Sequence, residues 1–229
     1  MNDLKYAREL VLDQIKQACQ IAQRERSEVQ LLAVSKTHSS PRLKEMYATG
    51  QRAFGENYLQ EALEKIEQLQ DLNIEWHFIG HVQRNKTKHL AEKFAWVHGV
   101  DRLIIAERLS NQRTAEQAPL NICLQVNIDN QDSKDGCQPH EVAELVAQIS
   151  QLPHLRLRGL MVIPAPNHTA AFAEARQLFN TVKTKHAYPE DWDTLSMGMS
   201  ADLHEAIAAG STMVRIGTAL FGARDHSKT

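Results

Sequence analysis

Short apolar runs of strand length alternate along this chain with stretches whose apolar residues recur every three or four positions. The first pattern suits buried strands and the second suits amphipathic helices. Leu4, Ala7, Val11, Ile15, Ala18, Cys19 and Ala22 predict an opening helix over 4–26. Strands are expected near 30–34, 52–54, 75–79, 95–98, 120–127, 155–160, 193–196 and 213–216. Helices are expected between them, near 41–49, 58–70, 85–92, 102–110, 138–150, 169–186 and 202–209. In the helix at 58–70, Leu59, Ala62, Leu63, Ile66 and Leu69 share one face, with Glu61 and Lys65 on another. The helix at 138–150 starts at Pro139 and turns Val142, Leu145, Val146 and Ile149 inward.

Strand–helix alternation implies a parallel sheet, because parallel neighbours need crossover connections. Eight such strands predict an α/β fold, a single (β/α)8 TIM-type barrel domain over 1–229. An open doubly wound sheet is the other arrangement, but no Gly-x-Gly-x-x-Gly follows the first strand to support it. The extra N-terminal helix then caps the barrel floor or packs on its flank. No linker, low-complexity tract or solenoid-length repeat divides the chain.

Composition narrows the class. The chain has 229 residues, 42% hydrophobic and 24% charged, and a net charge of −2, so it is long enough for a substantial core. With no basic block, no nucleic-acid partner is expected. The apolar runs are too short to cross a membrane, and Met1-Asn2-Asp3-Leu4-Lys5 lacks a signal-peptide core. Cys19, Cys123 and Cys137 are odd in number and scattered, which fits the reducing cytoplasm.

Barrel sites lie where the strands end, so the residues just past each run carry the chemistry. The run 31–34 leads into Ser35-Lys36-Thr37, and Ser40 is expected as N-cap with Pro41 at the first helical position. Burial at a strand end would leave Lys36 more free amine to attack a carbonyl, and the ordinary alternative is a snorkelling or ion-paired lysine. Asn57 either caps the next helix, the commoner role of a lone asparagine, or donates to a ligand oxygen. The loop His77–Lys86 is polar and basic, facing an anion or simply solvated. His77 and His81 are four apart, but Gly80 sits between them and no third ligand appears, so no metal is expected. Lys134 competes with Lys36 but belongs to an exposed polar loop ending in Gly136. Met161 is expected in the core, or packed on a flat ring.

The C-terminal third is the most informative. Leu195–Asp202 ends a strand and opens a helix, with Ser200 placed as N-cap. Helix-start N–H groups bind phosphate, and the loops after strands seven and eight are where such barrels commonly do so. Gly217 would let the backbone approach an anion, and Thr218 adds a hydroxyl and an N–H. Arg215 alternates with Val214 and Ile216, so it points into the barrel as a core ion pair or toward the ring nitrogen of a cofactor. A phosphate site, an aldehyde-trapping lysine and an arginine for a pyridine nitrogen together describe pyridoxal 5′-phosphate (PLP).

The chain resembles the pyridoxal phosphate homeostasis protein family, single-domain relatives of the PLP-binding barrel of alanine racemase. The resemblance covers nearly the whole chain. It rests on Leu32–Lys36, Phe54–Tyr58, Trp76–Gly80, Ser133–Gly136, Arg158–Met161, Leu195–Asp202 and Val214–Thr218. It implies that Lys36 holds PLP as a Schiff base, that Ser200, Gly217 and Thr218 hold the phosphate, and that Arg215 meets the pyridine nitrogen. Asn57 and Met199 are counted with them as cofactor-binding positions. One departure is His81, where the family pattern leads us to expect proline.

The resemblance also implies a PLP reservoir or carrier in vitamin B6 homeostasis without established catalysis, exchanging cofactor with apo-enzymes. A guanidinium donates a hydrogen bond without giving up its proton, so Arg215 would leave the pyridine nitrogen neutral and the ring a poor electron sink. The racemase relatives supply a second base from another domain, whereas this chain ends at Ala223–Thr229, soon after the eighth unit. The alternatives are a PLP-dependent racemase or decarboxylase completed by a partner chain, and an aldolase-type enzyme using Lys36. A closed barrel exposes no strand edge, so a monomer is expected.

Overall fold

The computed structural model describes residues 3–131 and 134–222. Eight parallel strands close into a barrel in chain order: β1 Gln30–Val34, β2 Ala53–Glu56, β3 Glu75–Phe78, β4 Trp96–Val100, β5 Leu120–Val126, β6 Leu155–Val162, β7 Thr194–Ser196 and β8 Met213–Ile216. β8 pairs with β1 through Leu32 opposite Arg215, which closes the ring. The helices are α1 Asp3–Ile21, α2 Ser40–Ala48, α3 Leu59–Gln68, α4 Thr87–Lys93, α5 Leu103–Gln112, α6 Val142–Ile149, α7 Ala170–Val182, α8 Leu203–Ala208 and a short α9 Thr218–Phe221.

Strand alternation divides the core in two. Leu31, Ala33, Val214 and Ile216 point outward and pack under the helices. Leu32, Ala53, Ile79, Trp96, Cys123, Met161 and Met213 fill the barrel interior. β6 runs two residues past its expected end, which carries Met161 into this interior.

Two helix boundaries depart from the sequence reading for a visible reason. α1 ends at Ile21 rather than near 26. Gln23 takes a left-handed φ of 53°, its N–H donates to the Gln20 carbonyl and the Arg24 N–H to that of Cys19. This is a Schellman closure without glycine, and Arg24 then reaches the carbonyls of Ile207 and Ser211. α2 starts at Ser40 itself, so Ser39 is its N-cap and Ser40 a buried helical residue with Pro41 following. The N-terminal helix lies on the flank, packed against α8, α9 and α2.

Candidate functional site

The inward parity of Leu32 and Val34 continues to Lys36, which lines a cavity of about 290 Å³ at the carboxyl ends of the strands. The same cavity is lined by Asn57, Ile79, Met199, Ser200, Arg215, Gly217 and Thr218. Every cofactor position expected from the sequence therefore meets in one place. A larger cavity of about 710 Å³ lies at the opposite end, lined by the first residues of β1–β3 and by Arg8 and Leu12 of α1. Parallel barrels keep their ligand chemistry at the carboxyl ends, so the smaller cavity is the candidate site.

The turn after Lys36 is held from behind. Thr37 adopts a left-handed φ of 68°, and its N–H donates to Glu61 at 2.6 Å. Ser35 points outward and donates to Glu56 at 2.5 Å. Lys65 is buried, and its ammonium donates to Glu56 and the Ser35 carbonyl, both at 2.8 Å, and to Glu61. Burial pushes the Glu56 carboxyl above its ordinary range, against the pull of Lys65 and the Ser35 hydroxyl. The Glu61–Lys65 pair therefore does not sit on a solvated helix face. A polar residue at i+4 from Glu61 gave no sign of this, because the partner Glu56 arrives from a strand.

Asn57 is not the helix cap, since Tyr58 takes that position before Leu59. Its Oδ1 is buried and finds no partner among the described residues. Gly80 fixes the approach of the next loop, because a Cβ there would lie 2.3 Å from the Asn57 carbonyl.

The loop after β7 corrects a second cap. Ser200 is exposed and precedes a turn, and Asp202 is the N-cap of α8, with its Oδ1 accepting the Met199 N–H at 2.6 Å. Gly198 needs its φ of 95°, and its carbonyl accepts the Arg215 N–H, which ties this loop to β8. Gly217 is the N-cap residue of α9, ahead of Thr218. A Cβ on Gly217 would meet the Val34 carbonyl at 3.4 Å, an ordinary contact, so the β8–β1 pairing itself does not require glycine there.

Arg215 is buried and points into the barrel, as the alternation predicts. Its Nη1 donates to Ser196 Oγ and its Nη2 to the Val162 carbonyl, both at 2.9 Å. Its partners are therefore a hydroxyl and a carbonyl rather than a carboxylate. Burial lowers its pKa to about 10, which leaves it charged at neutral pH. His77 and His98 are fully buried nearby, and burial lowers both of their pKa values, that of His98 strongly.

A group whose folded pKa is depressed binds its proton more readily when unfolded. These histidines thus favour the fold above histidine's usual value of about 6.5, and that contribution is lost as the pH falls below it. Urea midpoints should drop between about pH 7.5 and 5.5, and the drop should shrink in His98→Gln. Equal midpoints at the two pH values would contradict a neutral pair.

The remaining candidates go elsewhere. Lys134 is half-buried and ion-paired to Asp129 at 2.6 Å, not loose in an exposed loop. Burial alone would raise the Asp129 carboxyl, but hydrogen bonds from Lys134, His168 and the Ala165 N–H bring it below its usual range. Ser133, the first residue of that motif, lies outside the described residues. His81 pairs with Asp135 at 3.1 Å and bridges two loops, while His77 faces the interior. Arg84–Lys86 form a 3-10 turn away from the cavity lining, so the basic loop is solvated.

The chain is similar to several known proteins. The family model described as "Alanine racemase, N-terminal domain" matches residues 10–225. A pyridoxal phosphate homeostasis protein of Pseudomonas aeruginosa is 53% identical, covering 94% of each chain. The structure of PipY from Synechococcus elongatus with PLP bound is 37% identical, with a TM-score of 0.79 over 91% of this chain and 99% of that one. Alanine racemase from Corynebacterium glutamicum shares the fold at 16% identity and a TM-score of 0.67, covering 96% of this chain and 63% of that enzyme.

Proposed function

This chain belongs to the pyridoxal phosphate homeostasis protein family, a branch of the alanine racemase N-terminal domain family, and we propose that it binds PLP and serves the cell's vitamin B6 homeostasis as a reservoir or carrier. The observation that carries the reading is one cavity where a half-buried lysine, an asparagine with an unpartnered buried oxygen and a buried arginine converge with Ser200, Gly217 and Thr218. That donor set fits the group: an amine for an aldehyde, hydroxyls and N–H groups for a phosphate, and a cation for a ring nitrogen.

PLP supplies an aldehyde that condenses reversibly with a primary amine. Lys36 presents that amine, and the turn held by Glu61 and Lys65 sets its position. Ser200 and Thr218, with the N–H groups at the start of α9, take the phosphate. Asn57 turns its carboxamide to the ligand, and Met199 and Ile79 supply apolar contact at the rim. Arg215 donates to the ring nitrogen and keeps its own proton, which disfavours carbanion chemistry. The chain then acts without catalysis of its own, as a monomer in the cytoplasm that hands PLP to apo-enzymes. Its three cysteines are unpaired and buried, in keeping with reducing surroundings.

Two measurements test this reading. Adding PLP to the purified chain should produce a visible absorption band, and chiral analysis should find no turnover of L-amino acids. Turnover that disappears in Lys36→Ala would instead support a racemase or decarboxylase completed by a partner. Arg215→Glu should shift the band of the bound cofactor by favouring a protonated ring nitrogen. An unchanged band with PLP retained would remove Arg215 from contact with the ring.

A further inference from the structure

A line of polar side chains crosses the barrel interior. It starts at Glu75, beside the floor cavity, and ends at Arg215, beside the candidate site. Glu75 Oε1 lies 2.8 Å from His77 Nε2, and His77 Nδ1 lies 3.0 Å from His98 Nε2. His98 Nδ1 lies 3.2 Å from Ser196 Oγ, which accepts from Arg215 at 2.9 Å.

Valence fixes the direction of every bond. The Glu75 carboxylate only accepts, and hydrogen bonding from His77 lowers its pKa, so it stays ionised. His77 must therefore carry its proton on Nε2. As a neutral ring it then accepts at Nδ1, so His98 donates from Nε2 and accepts at its own Nδ1. Ser196 can satisfy that acceptor only by donating its hydroxyl proton. Its lone pair is then turned to Arg215. All four bonds point the same way, from the guanidinium cation toward the carboxylate, an arrangement in which each bond polarises the next. His77 is also stacked on Trp96 at 5.2 Å, which leaves the ring little freedom to turn.

We propose that Glu75, His77, His98 and Ser196 act as a positioning line that orients the Arg215 guanidinium, so that a carboxylate at the barrel floor helps set the grip on ligand at the mouth. Two N–H groups of Arg215 are held from within, by Ser196 and by Val162, and the residue itself lines the cavity. The ligand named here rests on the PLP reading, whereas the line itself is a property of the chain alone. Glu75 is partly exposed, with 42% of its side-chain surface accessible, so it can be replaced without opening the core.

Long-range nitrogen–proton NMR of the histidine rings, recorded without cofactor, tests the line first. His77 and His98 should each be protonated at Nε2 alone. Glu75→Leu removes the terminal acceptor and should abolish that single pattern, while Glu75→Gln, which keeps a carbonyl oxygen there, should restore it. With PLP, Glu75→Leu should bind about fivefold more weakly and show a displaced absorption band, and Glu75→Gln should stay close to wild type. An Nδ1 proton on either ring, or unchanged PLP affinity and spectrum in Glu75→Leu, would overturn the proposal. If the wild-type chain takes up no PLP, the cofactor reading fails, and the ring protonation decides the line on its own.

Discussion

Lys36→Ala should leave a folded barrel that no longer holds PLP covalently. The side chain projects into the cavity, and the turn behind it is anchored by Glu61 through the Thr37 N–H and by Lys65 through the Ser35 carbonyl. Neither anchor uses the Lys36 side chain, so the turn should stay in place when it is removed. The phosphate and ring contacts would persist and give weak residual binding. PLP affinity should fall at least about tenfold, equivalent to ~1.4 kcal/mol, and the visible band should revert to that of the free aldehyde. Circular dichroism and the thermal midpoint should stay near wild type. A wild-type band in this variant would mean that another lysine holds the cofactor.

Lys65→Met should have the largest effect on stability. The ammonium is buried to within 5% of full enclosure against a Glu56 side chain that is completely buried, and it also binds Glu61 and the Ser35 carbonyl. Methionine fills similar volume but removes every one of these donors. Among the described residues, one buried oxygen of Glu56 already lacks a partner, and Ser35 would be its one remaining side-chain donor. Breaking a buried pair in this way costs about 3–5 kcal/mol. Because the same contacts set the turn at Lys36, PLP binding should weaken along with stability. Urea denaturation and a PLP titration on the one variant check both consequences. A loss below about 1 kcal/mol, the range of an exposed pair, would show that water reaches the cluster.

The barrel was readable because apolar runs, helical spacing and alternation all agree. All eight strands begin within a residue of their expected starts, and the parity of Val214, Arg215 and Ile216 correctly turned the arginine inward. What escaped the sequence depended on contacts between distant segments. Ser200 resembled a cap, yet Asp202, two residues on, has the carboxylate that reaches back to the Met199 N–H. The end of α1 was hidden because a glutamine occupies the left-handed position where glycine is the usual signal. Lys65 looked like half of an exposed helical pair because its main partner sits on β2. His77 and His98 were 21 residues apart in the chain, and only barrel closure brings both onto the line to Arg215. The cavity residues were found for the opposite reason. Each lies at the carboxyl end of a strand or within four residues past it, where barrel geometry alone gathers them.

The most direct measurement of the central claim is borohydride reduction of the PLP-loaded chain, followed by peptide mapping by mass spectrometry. The visible band should be discharged, and one pyridoxyl group should be found on the peptide containing Lys36 and nowhere else. A label on Lys65 or Lys134, or no label after saturation with PLP, would contradict Lys36 as the residue that holds the cofactor.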